Sequence, residues 1–338
     1  MTALIYNPRN AVTLSITRET YADRSAIIKT LSGNNRADTP VEWRVSDDQR
    51  HWNFWRREAL VYNSEIDSLL SSSGVRLPQL FACTQQSRRI VLTLEDVQGR
   101  TGSTLSDADF EVMAYAWALG QAALSKHPHA WQHFASRRFL RTYSGSKPVN
   151  FALLDEDAAW AHPLLAEAWP RGLREDLGFL YAYRESLYAI LERAARIPCH
   201  LDLWPNNMFI DPDGQLVLID WGFFGLGAWG EDIGNFLPDA VFDGFVDAAH
   251  LDVLAERLLA AYHLGLRDAG VAVTLDSLRR NVYASAVKYI WLGPLLIERA
   301  HRAKHSSYGD QHLADAAAQY RERGAALQTI CRWARAVL

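Results

Sequence analysis

The sequence predicts an α+β fold in which a small N-terminal lobe of antiparallel β-strands precedes a larger, mainly helical C-terminal lobe. Two observations predict it. Short β-branched runs between polar turns dominate the first third of the chain, and apolar residues at helical spacing dominate the rest. The length of 338 residues agrees with about two domains of roughly 150 residues. A change in composition after Val97 places the boundary between residues 1–97 and 98–338.

The N-terminal lobe is predicted from short strands and one helix. The strand candidates are rich in β-branched and other apolar residues and are bounded by polar clusters. Strands are predicted at residues 3–6, 11–16, 25–30, 80–84 and 89–94, and a helix at about 56–70.

The C-terminal lobe begins as a loop and continues as helices. Ser106–Asp109 can cap a helix whose apolar residues, from Val112 to Ala123, recur at helical spacing. One β-hairpin interrupts the helices, because Asp213-Gly214 lies between two apolar runs. The hairpin strands are predicted at 208–210 and 215–219, and further helices at about 175–195, 251–265, 275–300 and 310–336.

Composition and charge exclude several classes of protein. The net charge is −4, which argues against a nucleic-acid partner. The three cysteines are far apart, so they form neither a disulfide framework nor a CxxC metal site, and a cytoplasmic location is expected. No signal peptide and no run of 18 apolar residues is visible, so no membrane partner is expected. Nothing in the sequence indicates the oligomeric state.

One group of polar residues has the spacing of a phosphoryl-transfer site. His200, Asp202 and Asn207 match H-x-D-x-x-x-x-N, and the second hairpin strand leads into Asp220. An Asp beside an acceptor hydroxyl can orient it and take its proton. Asn and Asp oxygens are hard ligands for Mg²⁺, which bridges nucleotide phosphates. Because the hairpin brings Asn207 and Asp220 to the same end of two paired strands, we predict Asp202 as the base and Asn207 and Asp220 as Mg²⁺ ligands.

A purely structural interpretation of the same residues exists. Asp202 would then cap a helix, His200 would belong to the core and Asn207 would sit in a turn. The Asp-Gly hairpin and the following Leu-Ile-Asp-Trp-Gly segment, both at the required spacing, favour the catalytic interpretation.

This constellation resembles the aminoglycoside phosphotransferase and choline kinase-like family of small-molecule kinases, most densely over residues 198–235. The resemblance implies a protein-kinase-like fold with ATP or GTP between the lobes. Asp232 resembles the acid that supports the catalytic loop in the family, and His200 is assigned the same supporting role. Leu201 and Trp204 stand where protein kinases carry Arg and Lys, and these departures favour a small-molecule acceptor.

The resemblance implies two charged residues of the N-terminal lobe. Lys29, in Ala-Ile-Ile-Lys, resembles the strand lysine that contacts the phosphates that are not transferred. Its partner would be a helix glutamate. Glu58 is the preferred candidate, although Glu65 lies two turns later on the same predicted helix.

The resemblance also implies how the nucleotide base and the phosphates would be held. The hinge at about 94–98 would bind the base through the C=O of Glu95 and the N–H of Val97, and these backbone groups leave ATP and GTP both open. The loop after the first strand, residues 7–10, contains no glycine, so a phosphate contact by Arg9 or Asn10 and a plain surface role are both open.

Aromatic residues are abundant, and nine of the 12 tryptophans follow Val97. Most are expected in the helical core, but Trp204 lies beside Asp202 and is predicted to contact the acceptor. Asp239 and Asp243 would either contact a cationic substrate or be acids at a helix N-terminus.

Two further patterns are not assigned a function. Residues 225–230 match G-x-G-x-x-G, but 231–264 contain no second strand, so we expect a flexible loop and not a dinucleotide site. His301 and His305 are four residues apart on a predicted helix, and we expect a solvated face and not a zinc site.

The sequence therefore predicts a Mg²⁺-dependent enzyme that transfers the γ-phosphate of ATP or GTP to a hydroxyl of a small molecule. The resemblance favours an antibiotic acceptor of the aminoglycoside, nucleoside or macrolide type, with resistance or self-resistance as the role. Alternatives are a metabolic kinase for choline, homoserine or a sugar, and a non-catalytic nucleotide-binding pseudokinase. The presence of Lys29, Asp202, Asn207 and Asp220 argues against the pseudokinase.

Overall fold

A computed structural model describes residues 2–4, 6, 10–302 and 315–338 and shows a β-sheet lobe followed by a helical lobe. The predicted turn at Asn7–Arg9, His305 and the start of the last predicted helix lie outside the described residues. The strands are β1 (Thr2–Ala3), β2 (Thr13–Tyr21), β3 (Arg24–Ser32), β4 (Val75–Arg76), β5 (Leu80–Gln86), β6 (Arg89–Glu95), β7 (Arg100–Thr101), β8 (Arg196–Cys199), β9 (Met208–Ile210), β10 (Leu216–Leu218) and β11 (Gly225–Ala228).

The helices of the described residues lie mainly after β7, as predicted. None of them is long and apolar enough to cross a membrane. They are α1 (Arg57–Tyr62), α2 (Ile66–Leu70), α3 (Asp107–Ser125), α4 (Phe139–Gly145), α5 (Asp157–Trp160), α6 (Pro163–Ala168), α7 (Leu173–Ala182), α8 (Arg184–Arg193), α9 (Glu231–Phe242), α10 (Leu251–Asp268), α11 (Leu275–Ser285), α12 (Leu292–His301) and α13 (Ala316–Val337).

The N-terminal sheet has five strands in the order β1-β2-β3-β6-β5, and every pair is antiparallel. Ala22 and Asp23 form the turn between β2 and β3, and both have positive φ, as a two-residue hairpin turn requires. The strands predicted at 25–30, 80–84 and 89–94 are confirmed. The strand predicted at 11–16 begins later, at Thr13, and continues to Tyr21, and among the described residues of the strand predicted at 3–6 only Ala3 belongs to β1. This register places Lys29 in the middle of the sheet, opposite Leu92 of β6.

The prediction of one helix over 56–70 is wrong in one respect, because the segment forms two helices, α1 and α2, with an interruption between them. Asn63 and Ser64 donate side-chain hydrogen bonds to carbonyl groups of α1, which compete with continuation of the helix. Glu65 consequently precedes α2, and its side chain is 70% exposed. It does not share a helix with Glu58.

The first long helix of the C-terminal lobe, α3, begins as predicted. Ser106 accepts a hydrogen bond from the N–H of Asp109, and Asp109 reaches back to the N–H of Ser106. The helix packs closely against α10 at Gly265, where a Cβ atom would lie 2.5 Å from the carbonyl oxygen of Tyr115. This close contact fixes α3 against α10 within the helical lobe.

The hairpin predicted around Asp213-Gly214 is present as β9 and β10. On its far side β10 pairs in parallel with β4, a strand that precedes Val97 in the chain. Side chains from the same early region, including Trp43 and Trp52, belong to the large core of the helical lobe. The division at Val97 therefore stays a prediction. A smaller core under the N-terminal sheet consists of Leu31, Trp55, Ala59, Ile90, Leu92 and Leu94.

The glycine-rich segment 225–230 is not the flexible loop that we expected. It forms β11, which pairs with β8, and α9 begins directly after it. A Cβ atom at Gly225 would lie 1.9 Å from the Ser136 Oγ, and Gly230 has φ +86°. These glycines allow close packing and a helix N-terminus.

Candidate active site

The loop of residues 200–207 follows β8 and has an unusual backbone. Leu201 has φ +66°, a left-handed conformation that is rare for a bulky residue. Asp232, in the first turn of α9, accepts hydrogen bonds from the backbone N–H groups of His200 (2.9 Å) and Leu201 (2.7 Å) and from the indole of Trp117 (2.8 Å). The buried carboxylate of Asp232 thus stabilises the strained loop from the core side.

His200 connects this loop to the strand before Asp220. Its Nε2 lies 3.0 Å from the carbonyl oxygen of Ile219, and its Nδ1 accepts a hydrogen bond from the N–H of Asp202. The ring is fully buried beside Trp221. Burial lowers the pKa of His200 to about 4. The imidazole is therefore neutral, with its proton on Nε2.

Asp202 and Asn207 are in direct contact. The Nδ2 group of Asn207 donates hydrogen bonds to the backbone oxygen (2.9 Å) and to Oδ2 (3.2 Å) of Asp202, which directs the Asn207 Oδ1 away from that carboxylate. The carbonyl of Asn207 accepts the N–H of Ile219 at 3.0 Å and so holds it close to Asp220. Burial, together with the negative charge of Asp220, raises the pKa of Asp202 to about 7.

Lys29 joins two carboxylates that lie far apart in the sequence. Its Nζ lies 2.9 Å from the Glu58 Oε1 and 2.8 Å from the Asp220 Oδ1. Lys29 and Glu58 are buried, whereas the side chain of Asp220 is 43% exposed. Burial, together with the negative charge of Asp220, raises the pKa of Glu58 to about 7, although Lys29 opposes this shift. The two carboxylates outweigh burial and raise the pKa of Lys29, so the ammonium stays charged.

Arg57, the residue before Glu58, is a buried cation that the sequence analysis did not predict. It donates hydrogen bonds to the carbonyl groups of Trp52 (2.9 Å), Phe134 (2.9 Å) and Gly222 (3.0 Å). Burial lowers its pKa to about 9. The side chain thereby ties α1 to the segment that follows Asp220. Its partners are backbone carbonyls, which leave no signature in a sequence.

The oxygen atoms of Asn207 and Asp220 fit a magnesium ion. Within the described ranges, no group of three or more His, Cys, Asp or Glu side chains could hold a metal by itself. Mg²⁺ commonly uses one or two protein oxygens and completes its shell with water and substrate phosphates. The Asn207 Oδ1 and the Asp220 carboxylate are oxygens of this kind, and their assignment as Mg²⁺ ligands stays a prediction.

The connection between the sheet and the helices is held by side chains on both sides. Glu95 ends β6, and its carboxylate forms an ion pair with Arg76 at 2.7 Å. Asp96 accepts hydrogen bonds from Arg18 (2.8 Å) and Ser25 (2.7 Å), and Val97 is buried. The backbone roles assigned to Glu95 and Val97 stay predictions.

The structure also shows a buried cation that the sequence analysis missed. Lys288 is buried, and its Nζ lies 3.6 Å from the Asp239 Oδ2. Asp239 is in the interior of α9 and Asp243 follows its end, so the interpretation of both as helix N-terminal acids is wrong. Trp204 is partly exposed and contacts the ring of Phe245 edge-on, with the centroids 6.1 Å apart. Lys288 had no signal in the sequence, because it lies in a short 3₁₀ segment far from the motif.

Comparison with known proteins shows the family to which the chain belongs. The model of the phosphotransferase enzyme family matches residues 50–272, more than half of the chain, and the chain belongs to that family. A search of curated protein sequences finds no match. The family makes the protein a phosphotransferase.

Solved structures show the same overall fold at low sequence identity. An amicoumacin kinase in complex with AMP-PNP, Ca²⁺ and Ami is 13% identical, with 97% of this chain and 89% of that chain covered and a TM-score of 0.54. The aminoglycoside phosphotransferase APH(4)-Ia is 12% identical over 98% and 93% of the two chains, with a TM-score of 0.52. The spectinomycin phosphotransferase APH(9)-Ia, bound to AMP, is 11% identical over 94% and 90%, also at 0.52. The fold is therefore protein-kinase-like, as the resemblance implied.

Proposed function

We propose that the protein transfers the γ-phosphate of ATP or GTP to a hydroxyl of a small molecule, with Asp202 as the catalytic base. The observation that carries this proposal is the convergence of distant residues around Asp220. Lys29 reaches it from β3, Glu58 follows through Lys29, and Asn207 is held beside it by the hairpin. Structural neighbours described with AMP-PNP or AMP support a nucleotide co-substrate.

Asp202 would activate the acceptor. Asn207 orients the carboxylate of Asp202. This carboxylate would accept a hydrogen bond from the acceptor hydroxyl and take its proton as the hydroxyl oxygen attacks the γ-phosphorus. A pKa of about 7 suits a group that must take and release a proton near neutral pH.

The phosphates would be held by the other charged residues. Lys29, oriented by Glu58, would bind oxygens of the phosphates that are not transferred. Asn207 and Asp220 would hold Mg²⁺, which would neutralise the charge of the phosphates when bound. Arg57 keeps α1 in register with the segment after Asp220, so Glu58 and Asp220 remain on either side of Lys29.

The acceptor is proposed to be an antibiotic, since structural neighbours with the same fold are kinases of amicoumacin, aminoglycosides and spectinomycin. Resistance or self-resistance would then be the biological role. The partly exposed ring of Trp204 would form one wall of the acceptor site. The backbone of Glu95 and Val97 would bind the nucleotide base.

The test is release of nucleoside diphosphate from ATP or GTP with Mg²⁺ and a panel of hydroxyl acceptors. Asp202→Ala is compared with wild type, and Asp213→Asn, in the exposed hairpin turn, is the matched control. We expect loss of turnover in Asp202→Ala only, and loss of wild-type turnover when EDTA removes the metal. Equal turnover in Asp202→Ala would contradict the assignment. Tight nucleotide binding without turnover of any acceptor would favour a non-catalytic role.

A further inference from the structure

Residues 41–55, between β3 and α1, carry three tryptophans that are buried in two different cores. We call residues 41–55 the tryptophan segment. Trp43 and Trp52 belong to the large core of the helical lobe, whereas Trp55 belongs to the smaller core under the N-terminal sheet. One short segment is thus anchored in both cores, directly before α1, the helix that carries Glu58.

Hydrogen bonds and ring contacts fix the tryptophan segment on the helical lobe. The indole N–H of Trp43 donates a buried hydrogen bond to the carbonyl oxygen of Ser146 at 3.0 Å. The backbone oxygen of Arg50 accepts the N–H of Arg137, also at 3.0 Å. The ring of Trp52 contacts that of Trp43 edge-on, with the centroids 5.3 Å apart. The segment therefore cannot leave the helical lobe without breaking a buried hydrogen bond and separating packed rings.

The tryptophan segment is joined to α1 by the buried side chain of Arg57. The guanidinium donates hydrogen bonds to the carbonyl oxygens of three residues of the segment, Gln49 (2.9 Å), His51 (2.6 Å) and Trp52 (2.9 Å). Glu58 is the next residue of α1. The place of the segment on the helical lobe therefore determines where α1 begins and where Glu58 stands.

Trp52 also contacts the chain on the other side of Lys29. Its ring lies edge-on to that of Phe223, with the centroids 5.6 Å apart, and Phe223 follows Asp220 by three residues. Trp52 thus touches Arg57 through its backbone oxygen and Phe223 through its ring. It is in contact with both chain segments that bring a carboxylate to Lys29.

Helix α1 needs such support, because it contains only six residues. Helices this short are marginal by themselves and take their stability from tertiary packing. If α1 moved, the Glu58 carboxylate would leave the Lys29 ammonium, which it now contacts at 2.7 Å. A binding site that is already ordered spends no free energy on ordering when its ligand arrives.

We propose that Trp52 is a positioning residue for the nucleotide site, which holds Glu58 on Lys29 before any nucleotide binds. The inference rests on the proposed function only in taking the Lys29–Glu58 pair as part of the nucleotide site. The position of α1 is a separate property, which is measured without nucleotide or acceptor.

The first test compares Trp52→Leu with Trp333→Leu. Both variants remove a buried indole from the core of the helical lobe, but Trp333 lies in α13, where its ring stacks on Tyr283. Binding of a fluorescent ATP analogue with Mg²⁺ is measured on the full chain, at a temperature at which circular dichroism shows both variants folded. If Trp52→Leu leaves α1 in place about one tenth of the time, the apparent Kd rises about tenfold. Trp333→Leu should change it less than about twofold.

The conservative variant Trp52→Phe keeps an aromatic ring and should retain most of the affinity. It also serves as the test variant if Trp52→Leu does not fold, because loss of the indole's larger contact area should still raise the Kd above that of Trp333→Leu. Equal Kd values for the Trp52 variants and Trp333→Leu would overturn the proposal.

A double-mutant cycle shows whether Trp52 acts through Glu58. If it does, Trp52→Leu should raise the Kd about tenfold in the wild-type background but less than about twofold in Glu58→Ala, where the positioned carboxylate is already absent. A general loss of core packing would instead raise the Kd by the same factor in both backgrounds. That result would overturn the proposal.

Hydrogen exchange of the unliganded protein measures the position of α1 directly. The amides of residues 57–62 should be protected in wild type and Trp333→Leu and should exchange faster in Trp52→Leu. Protection that appears in wild type only after nucleotide is added would overturn the proposal. If α1 loosens in Trp52→Leu as expected and wild type binds no nucleotide, Trp52 keeps its effect on α1 and the proposed function fails.

Discussion

Aspartate side chains on the two faces of the loop at residues 200–207 have opposite roles. On the core face, Asp232 is 1% exposed, and its oxygens accept hydrogen bonds from two backbone N–H groups and an indole. On the opposite face, which we call the cleft face because Asp202 and Asp220 are partly exposed there, both carboxylates have charged neighbours of each sign. A carboxylate whose oxygens already accept several buried hydrogen bonds supports the backbone, whereas a carboxylate with fewer such bonds remains available to a substrate.

The same contrast holds for two buried cations, Arg57 and Lys29. The guanidinium of Arg57 donates its hydrogen bonds to backbone carbonyl groups, which hold it in the core. Lys29 pairs with carboxylates, one of which faces the cleft. A supporting residue thus differs from a candidate catalytic or binding residue in its partners, which are backbone groups for the former and charged side chains for the latter.

The largest effect is expected on the cleft face. Asp202→Asn should lower kcat about 10²–10⁴-fold, because the base that takes the hydroxyl proton is lost. Burial raises the pKa of Asp202, so its ionised form is unfavourable in the folded protein, and the midpoint of thermal unfolding should stay the same or rise. Steady-state kinetics and calorimetry on the same samples measure both. A fall in stability that parallels the fall in kcat would remove the distinction between the two faces.

His200, which links the faces, should make stability depend on pH. Its folded pKa of about 4 lies below the ordinary value of 6.5, so between these values the unfolded chain binds more protons. Its contribution is complete above pH 6.5 and is lost as the pH falls towards 4, about 3 kcal/mol in all. Urea unfolding of wild type and His200→Gln across this range measures the difference. Parallel curves for the two proteins would contradict it.

On the core face, Asp232→Asn should mainly reduce stability. An amide accepts through one oxygen only and turns its NH₂ group towards a donor, so at least one buried N–H of His200 or Leu201 loses its partner. Burial also raises the pKa of Asp232, but because two backbone N–H groups and an indole depend on this carboxylate, the free energy of unfolding should still fall, by about 2 kcal/mol. Chemical denaturation measures it, and Asp213→Asn in the exposed turn is the control. Unchanged stability with lost activity would place Asp232 among the reacting groups instead.

The smallest effect is expected away from the loop. Arg18 pairs with Asp96 at 2.8 Å, but its side chain is 49% exposed. Arg18→Ala should cost less than about 1 kcal/mol, and the difference should shrink in high salt. Unfolding at low and high ionic strength tests this. A larger, salt-independent loss would show that the connection after β6 is held more tightly than an exposed ion pair allows.

Local patterns were sufficient for much of the fold. The capping box at Ser106 and the Asp213-Gly214 hairpin were both predicted, because each depends on residues that are neighbours in the chain. The break between α1 and α2 was missed, since the side chains of Asn63 and Ser64 compete with a helix that the apolar pattern favours. The glycine-rich segment was misjudged, because the packing against Ser136 that requires Gly225 comes from a distant part of the chain.

The sequence by itself determined the spacing of Asp202, Asn207 and Asp220, because one loop and one hairpin place them within 19 residues of chain. Only the tertiary structure decided that Glu58 and not Glu65 partners Lys29, that Arg57 locks α1 to Gly222, and that the buried Lys288 pairs with Asp239. The physical reason is range. Hydrogen bonds between chain neighbours leave a pattern in the sequence, whereas the burial and pairing of charges depend on which distant segments the core brings together.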